Sequence, residues 1–192
     1  MKNNQLSLTY VALLRGINVG GHHKVPMAIL KREMTNLGFK KISTLLNSGN
    51  VIFETAKTGI SELESKIEEH LEKCFGFPVP VLLRELEDLI RILKSNPFKN
   101  IEVKKEIRLY VTFFKQKPKT ELLLPWNSDD KSYKILEIKE KAIFSVLDLS
   151  VSDKLNSMEI LGQIFGKEIT TRNLNTINKI VRLNSKAPGS VN

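Results

Sequence analysis

The chain has 192 residues, 41% of them hydrophobic, which allows one large domain or two small ones with substantial cores. Lys and Arg number 30 against 21 Asp and Glu, a net charge of +9 spread as +3 over residues 1–96 and +6 over residues 97–192. Such a surface favours phosphate-bearing partners, but no block of five or six like charges marks a nucleic-acid tail. No run approaches the roughly 20 apolar residues of a membrane span. Met1-Lys2-Asn3-Asn4-Gln5 leads into a strand-like segment rather than a signal-peptide core, so the expected location is cytoplasmic, without a membrane partner. The single cysteine, Cys74, excludes an internal disulfide. It falls on the apolar side of a predicted helix and reads as a small core residue.

Residues 7–15 are apolar and β-branched enough for a buried strand. A helix follows from Pro26 to Leu37, with Met27, Leu30, Met34 and Leu37 as its stripe and Gly38 closing it. Strand Lys41–Leu46, turn Asn47-Ser48-Gly49-Asn50 and strand Val51–Thr55 come next. Ser61 and Glu64 have capping-box spacing for a helix with the stripe Leu63, Ile67, Leu71, Cys74 and Phe75, ending at Gly76. Strand Val79–Leu83 completes the order βαββαβ, the split, ferredoxin-like arrangement, and a helix over Leu86–Leu93 trails it.

The second half repeats the plan. Ile107–Lys115 reads as a strand, Glu121–Leu124 as a short helix or turn, and Tyr133–Lys139 with Ala142–Leu149 as a hairpin. Asn156–Phe165 reads as a helix, Ile169–Arg172 as a strand and Leu174–Leu183 as the last helix. Three matches run in the same order. Tyr10-Val11-Ala12-Leu13-Leu14-Arg15 is similar to Tyr110-Val111-Thr112-Phe113-Phe114-Lys115, and Phe75-Gly76 to Phe165-Gly166. Arg84-x-Leu86-x-x-Leu89 is similar to Arg172-x-Leu174-x-x-Ile177. The expected fold is therefore α+β, two duplicated ferredoxin-like units, each followed by an extra helix. The units are expected over residues 5–98 and 99–184, with a disordered tail over 185–192. Alternate residues of the first strand are apolar on both faces, so both faces are expected to be covered.

The segment Leu13-Leu14-Arg15-Gly16-Ile17-Asn18-Val19-Gly20-Gly21-His22-His23-Lys24-Val25-Pro26 carries the first strand into a glycine-rich loop and a helix start. That arrangement can present several N–H groups to one anion, with Arg15, Asn18 and Lys24 as further donors. It meets neither strict phosphate pattern: Gly21 is followed by His22 rather than Lys, and the spacing G-x-G-x-x-G is absent. Adjacent His22 and His23 point apart and make a poor metal pair; either could act as an acid or base near a phosphate. His70, beside Glu68 and Glu69, reads as a surface residue, and neither metal nor cofactor is expected. Asn47-Ser48-Gly49-Asn50 is a good turn on composition alone. In Thr170-Thr171-Arg172-Asn173, Arg172 could grip a carboxylate or phosphate or form a structural ion pair, and Asn173 or Thr171 could cap the last helix.

Leu13–Pro26, Leu46–Phe53, Asn96-Pro97-Phe98 and Thr171-Arg172-Asn173-x-Asn175-Thr176 together resemble a bacterial family called domain of unknown function 1697. The resemblance covers about residues 8 to 183 and implies a two-part α+β protein without implying an activity or cofactor. It places Arg15, Gly16, Asn18, Gly20, Gly21, Ser48, Gly49, Asn50, Arg172, Asn173 and Thr176 in the shared pattern. Leu174 stands where relatives commonly have Trp, and Leu147–Ser152 where they tend to have a proline-glycine stretch.

The expected function is binding of a phosphate-bearing ligand, a nucleic-acid backbone or a nucleotide. Its expected contacts are Arg15, Gly16, Asn18, Gly20, Gly21, Lys24, Ser48, Asn50, Arg172 and Asn173. Two alternatives stand beside it: an enzyme using His22 or His23 on a small phosphorylated or carboxylated substrate, and a self-associating scaffold whose motifs are structural. Topology places the loop after the first strand and the turn before the third at one edge of a ferredoxin-like sheet.

Overall fold

The computed structural model describes residues 6–116, 122–139, 141–151 and 157–185. The chain is a mixed α+β protein that divides into two units, Met1–Asp88 and Leu89–Asn192. In the first, strands β1 (Ser7–Leu14), β2 (Lys40–Leu45), β3 (Asn50–Ala56) and β4 (Val81–Glu85) form an antiparallel sheet in the order β2-β3-β1-β4. Helices α1 (Met27–Asn36) and α2 (Ile60–Phe75) supply its main core. Tyr10, Ala12 and Leu14 of β1 join Leu30 and Met34 of α1 and Leu63, Ile67 and Leu71 of α2 in that core. Val11 and Leu13, on the opposite face, are fully buried too, as the two-sided apolar strand implies.

Two expectations about α2 are corrected. Ser61 and Glu64 do not form a capping box: the N-cap is Gly59, with no side-chain cap. Glu64 is buried and accepts a hydrogen bond from the Leu83 N–H at 2.8 Å, while Glu68, one turn on, accepts from the Val81 N–H at 2.7 Å. The two carboxylates thus satisfy outward N–H groups of edge strand β4, a stronger demand than the cap. Cys74 is exposed rather than a core residue, because Phe75 takes the core-facing place at the end of the stripe. Gly76 ends α2 in the left-handed conformation at φ 77° and donates its N–H to Glu72 O.

Helix α3 (Leu86–Ser95) carries the chain across the division between the units. The second sheet has five antiparallel strands, β5 (Ile107–Phe114), β6 (Trp126–Asn127), β7 (Tyr133–Lys139), β8 (Ala142–Asp148) and β9 (Ile169–Asn173), in the order β6-β7-β8-β5-β9. Strand β6 falls outside the expected elements. Of the expected Glu121–Leu124 helix or turn, Glu121 lies outside the described residues and residues 122–124 carry no helix. Helix α4 (Ser157–Phe165) packs Leu161, Ile160 and Ile164 against Phe114, Ile135, Ile143 and Ile169. Asn156, expected to begin it, lies outside the described residues, as does the tail beyond Ser185, the last residue of α5 (Leu174–Ser185). Among the described residues no helix is long and apolar enough to cross a membrane.

Candidate functional site

At the end of β1 the backbone is pinned from two sides. Leu14 donates its N–H to Gly49 O at 2.8 Å, and Arg15 donates its N–H to Pro80 O at 2.9 Å. The chain then turns through Gly16 (φ 70°) and Asn18 (φ 56°) into a miniature hairpin. Val19 and His22 form an antiparallel bridge, with the His22 N–H donating to Val19 O at 3.1 Å and the Asn18 N–H to His23 O at 3.1 Å. Gly20 and Gly21 at its tip have φ of 59° and 80°, the two positive values of a type I′ turn. A Cβ on Gly21 would meet nothing within 4 Å and one on Gly20 only His22 Cδ2 at 4.0 Å. The glycine pair therefore answers a backbone angle rather than a shortage of space.

Asn18 locks this hairpin to its surroundings. Its Nδ2 donates to Val25 O at 3.1 Å and to Asn47 O at 2.8 Å, and its Oδ1 accepts the Val25 N–H at 2.8 Å. The Asn47–Asn50 turn is thereby drawn against the loop. Gly49 sits so close that a Cβ would lie 2.6 Å from Ile17 Cδ1 and 2.8 Å from Leu14 Cβ, at a φ of 71°. Asn50 is fully buried and donates to Leu45 O at 2.8 Å and Ser48 Oγ at 3.0 Å. Asn18 and Asn50 thus hold the framework. Sequence reasoning missed Phe77, on which the His23 ring stacks at 4.5 Å, and the exposed apolar side chains of Val19 and Leu46. Val19 was legible as the residue flanking a Gly-Gly turn; Phe77 carries no local signal.

A carboxylate stands near this end of the unit: Glu68 accepts the Val81 N–H, beside the Pro80 carbonyl that holds the Arg15 N–H. The first acidic residue of the chain is Glu33 and the next is Glu54, so neither the loop nor the turn contains a carboxylate. Arg15 is half-buried, and among the described residues its guanidinium has no hydrogen bond or ion pair. His22, His23 and Lys24 are exposed. Helix α1 begins at this loop with Pro26 as N-cap, no side-chain cap and no acid in its first turn. Glu33, near the far end of α1, is engaged by Arg32 Nε at 3.0 Å, Asn36 Nδ2 at 3.0 Å and His70 Nε2 at 3.1 Å. The Arg32 and Asn36 hydrogen bonds hold its carboxyl below the ordinary glutamate range. His70 is consequently half-buried in a bond between α1 and α2, rather than a plain surface residue.

Arg172 and Asn173 lie in the second unit, on edge strand β9. The Arg172 guanidinium is buried and donates through Nη1 to Thr170 Oγ1 and Thr171 O, both at 2.9 Å. Burial pushes it down to about 10. The Asn173 Oδ1 accepts the Asn175 N–H at 2.9 Å, an N-cap for α5. Thr171 Oγ1 meets Thr112 Oγ1 across the strands at 2.7 Å. A counterpart exists in the first unit: Arg84 stands opposite Val11 as Arg172 stands opposite Val111. The Arg84 Nη1 donates to Leu83 O at 2.7 Å, again the carbonyl just before the arginine. Burial lowers the Arg84 pKa, with the Asp88 and Glu64 carboxylates opposing the shift.

Among the described residues no group of three His, Cys, Asp or Glu side chains could hold a metal ion. A hollow lined by Glu62, Ser65, Lys66, Glu69, His70 and Lys73 belongs to the face of α2 alone.

A family model described as a protein of unknown function (DUF1697) matches residues 8–144, a span that includes the loop and the turn and ends before Arg172. The solved structure of the conserved bacterial protein SP0830 from Streptococcus pneumoniae is 28% identical, with a TM-score of 0.71. The match covers 93% of this chain and 99% of that one. The comparison with curated proteins gives no match.

Proposed function

The chain belongs to the DUF1697 family, and from that premise we propose that it binds a phosphate-bearing ligand at the end of the first sheet, where the Arg15–Lys24 loop meets the Asn47–Asn50 turn. The observation that carries this reading is Arg15. Arg15 is a half-buried residue in a stretch of sequence without acids, and its guanidinium, with no partner among the described residues, holds its bidentate donors ready for an anion. Lys24 and the uncapped start of α1 add positive potential. Asn18 and Asn50 fix the loop and turn beneath it, and Gly16, Gly20, Gly21 and Ser48 complete its backbone and rim. Titration with pyrophosphate at low salt tests the reading. Binding is expected, and Arg15→Glu is expected to abolish it; absence of binding, or binding indifferent to Arg15→Glu, overturns it.

For Arg172 and Asn173 the hydrogen bonds favour a structural role, tying β9 to the start of α5. We also infer that the two units are copies of one ferredoxin-like βαββαβ plan with a trailing helix. Support comes from the strand order: without β6, β7-β8-β5-β9 repeats the permutation β2-β3-β1-β4. The matched register and main-chain bond of Arg84 and Arg172 add to it.

A further inference from the structure

We propose that the ligand is a single-stranded nucleic acid, lying across the hairpin tip Val19–His22 and the neighbouring Leu46; this rests on the phosphate-binding reading above and narrows it. The candidate surface is open to solvent. Every residue from Asn18 to Lys24 is exposed. A free nucleotide gains its affinity by burying most of its surface in a concave site. A solvent-facing hairpin supplies contacts from one side, which suits an extended polymer that presents one phosphate after another.

Exposed apolar side chains accompany the cations. Val19 is 69% exposed and Leu46 48% exposed. They flank the Asn18–Asn47 hydrogen bond, so two unshielded apolar side chains sit on the two segments that it joins. A phosphate ion or a pyrophosphate has nothing to offer them. A duplex hides its base faces within the stack and presents phosphates and base edges, whereas an unpaired strand exposes faces that can pack on apolar and imidazole side chains. His22 is exposed at the tip, while the His23 ring is already stacked on Phe77 and holds the loop from below. Between Val19 and His22, Gly20 and Gly21 present backbone without side chains, leaving room for close approach of a sugar-phosphate chain.

The cationic and apolar side chains have separate tasks. Arg15 and Lys24 attract phosphate without regard to base. Val19, Leu46 and His22 distinguish a strand with open bases from any other polyanion. Recognition is sequence-tolerant, because an apolar contact with a base face reads no hydrogen-bond edge.

The test measures three probes on the full chain: a labelled oligo-dT strand, a duplex of the same length, and tripolyphosphate. The strand is expected to bind at low salt, with a slope of log K against log salt of about −1.4 for two phosphate contacts. The duplex is expected to bind at least about tenfold more weakly. Val19→Ser with Leu46→Ser, both at exposed positions, is expected to lower strand affinity by about tenfold and leave tripolyphosphate binding unchanged. Arg15→Glu with Lys24→Glu is expected to weaken both. Tripolyphosphate binding that needs Arg15, joined to equal strand and duplex affinities or to no effect of the serine pair, overturns this inference and leaves the phosphate reading standing. Failure of all three probes to bind overturns both.

Discussion

The Arg15–Lys24 loop and the Thr170–Asn173 strand end look alike as sequence: each follows or ends a strand, each leads into a helix, and each carries an arginine and an asparagine. They differ in where the donors go. Arg172 is buried and bonded to Thr170 and Thr171, and Asn173 caps α5. In the first region Asn18 and Asn50 satisfy the backbone, and the Arg15 side chain has no hydrogen bond among the described residues. Polar density in a sequence therefore does not reveal which side chains the fold engages.

The largest expected effect breaks the support of the first region. Gly49→Ala combines a left-handed φ with contacts below 3 Å to Ile17 and Leu14, and is expected to destabilise the fold by about 3 kcal/mol in urea unfolding. A loss under about 1 kcal/mol would mean that loop and turn yield to each other. Next comes the second region. Arg172→Ala removes one buried and one part-buried hydrogen bond within β9 and leaves a cavity, with an expected loss of about 2 kcal/mol and no change in pyrophosphate affinity. A drop in affinity with the fold intact would move Arg172 into the site.

A smaller effect concerns the edge of the carboxylate-free stretch. Glu33 has a folded pKa below its ordinary 4.5, so it binds fewer protons folded than unfolded in that range. Its contribution is present above the ordinary value and is lost as pH falls through the lower, folded one. Urea midpoints measured across that acid window are expected to decline less steeply for Glu33→Gln than for the parent chain. Parallel curves would show that the Arg32, Asn36 and His70 bonds add nothing to stability. The smallest effect is at the hairpin tip. Asn tolerates the first central position of a type I′ turn and Ala does not, so Gly20→Asn should stay within about 0.5 kcal/mol while Gly20→Ala costs about 1 kcal/mol. Equal losses would show that Gly20 needs more than its angle.

Much of this was legible along the chain. The α1 stripe of Met27, Leu30, Met34 and Leu37, the αL stop at Gly76 and the β7–β8 hairpin follow from local periodicity and turn chemistry. So did the meeting of loop and turn, because strand adjacency fixes which loops share an end. The failures share a cause. Glu64 left the capping box for Leu83, 19 residues away, and His70 found Glu33, 37 residues away. Neither partner is visible in a local window. Strand β6 has two residues, too few for any period to register. The Gly20-Gly21 pair was seen, but a type I′ turn and an anion loop ask for the same residues.

In the proposed reading Arg15 serves a ligand while Arg172 serves the fold. Arg15→Gln, measured for urea stability and for pyrophosphate affinity by calorimetry in one buffer, tests it most directly. Stability within about 0.5 kcal/mol of the parent is expected, with an affinity lower by at least about tenfold. Stability lost by about 2 kcal/mol with affinity retained would make Arg15 a structural arginine like Arg172, and would contradict it.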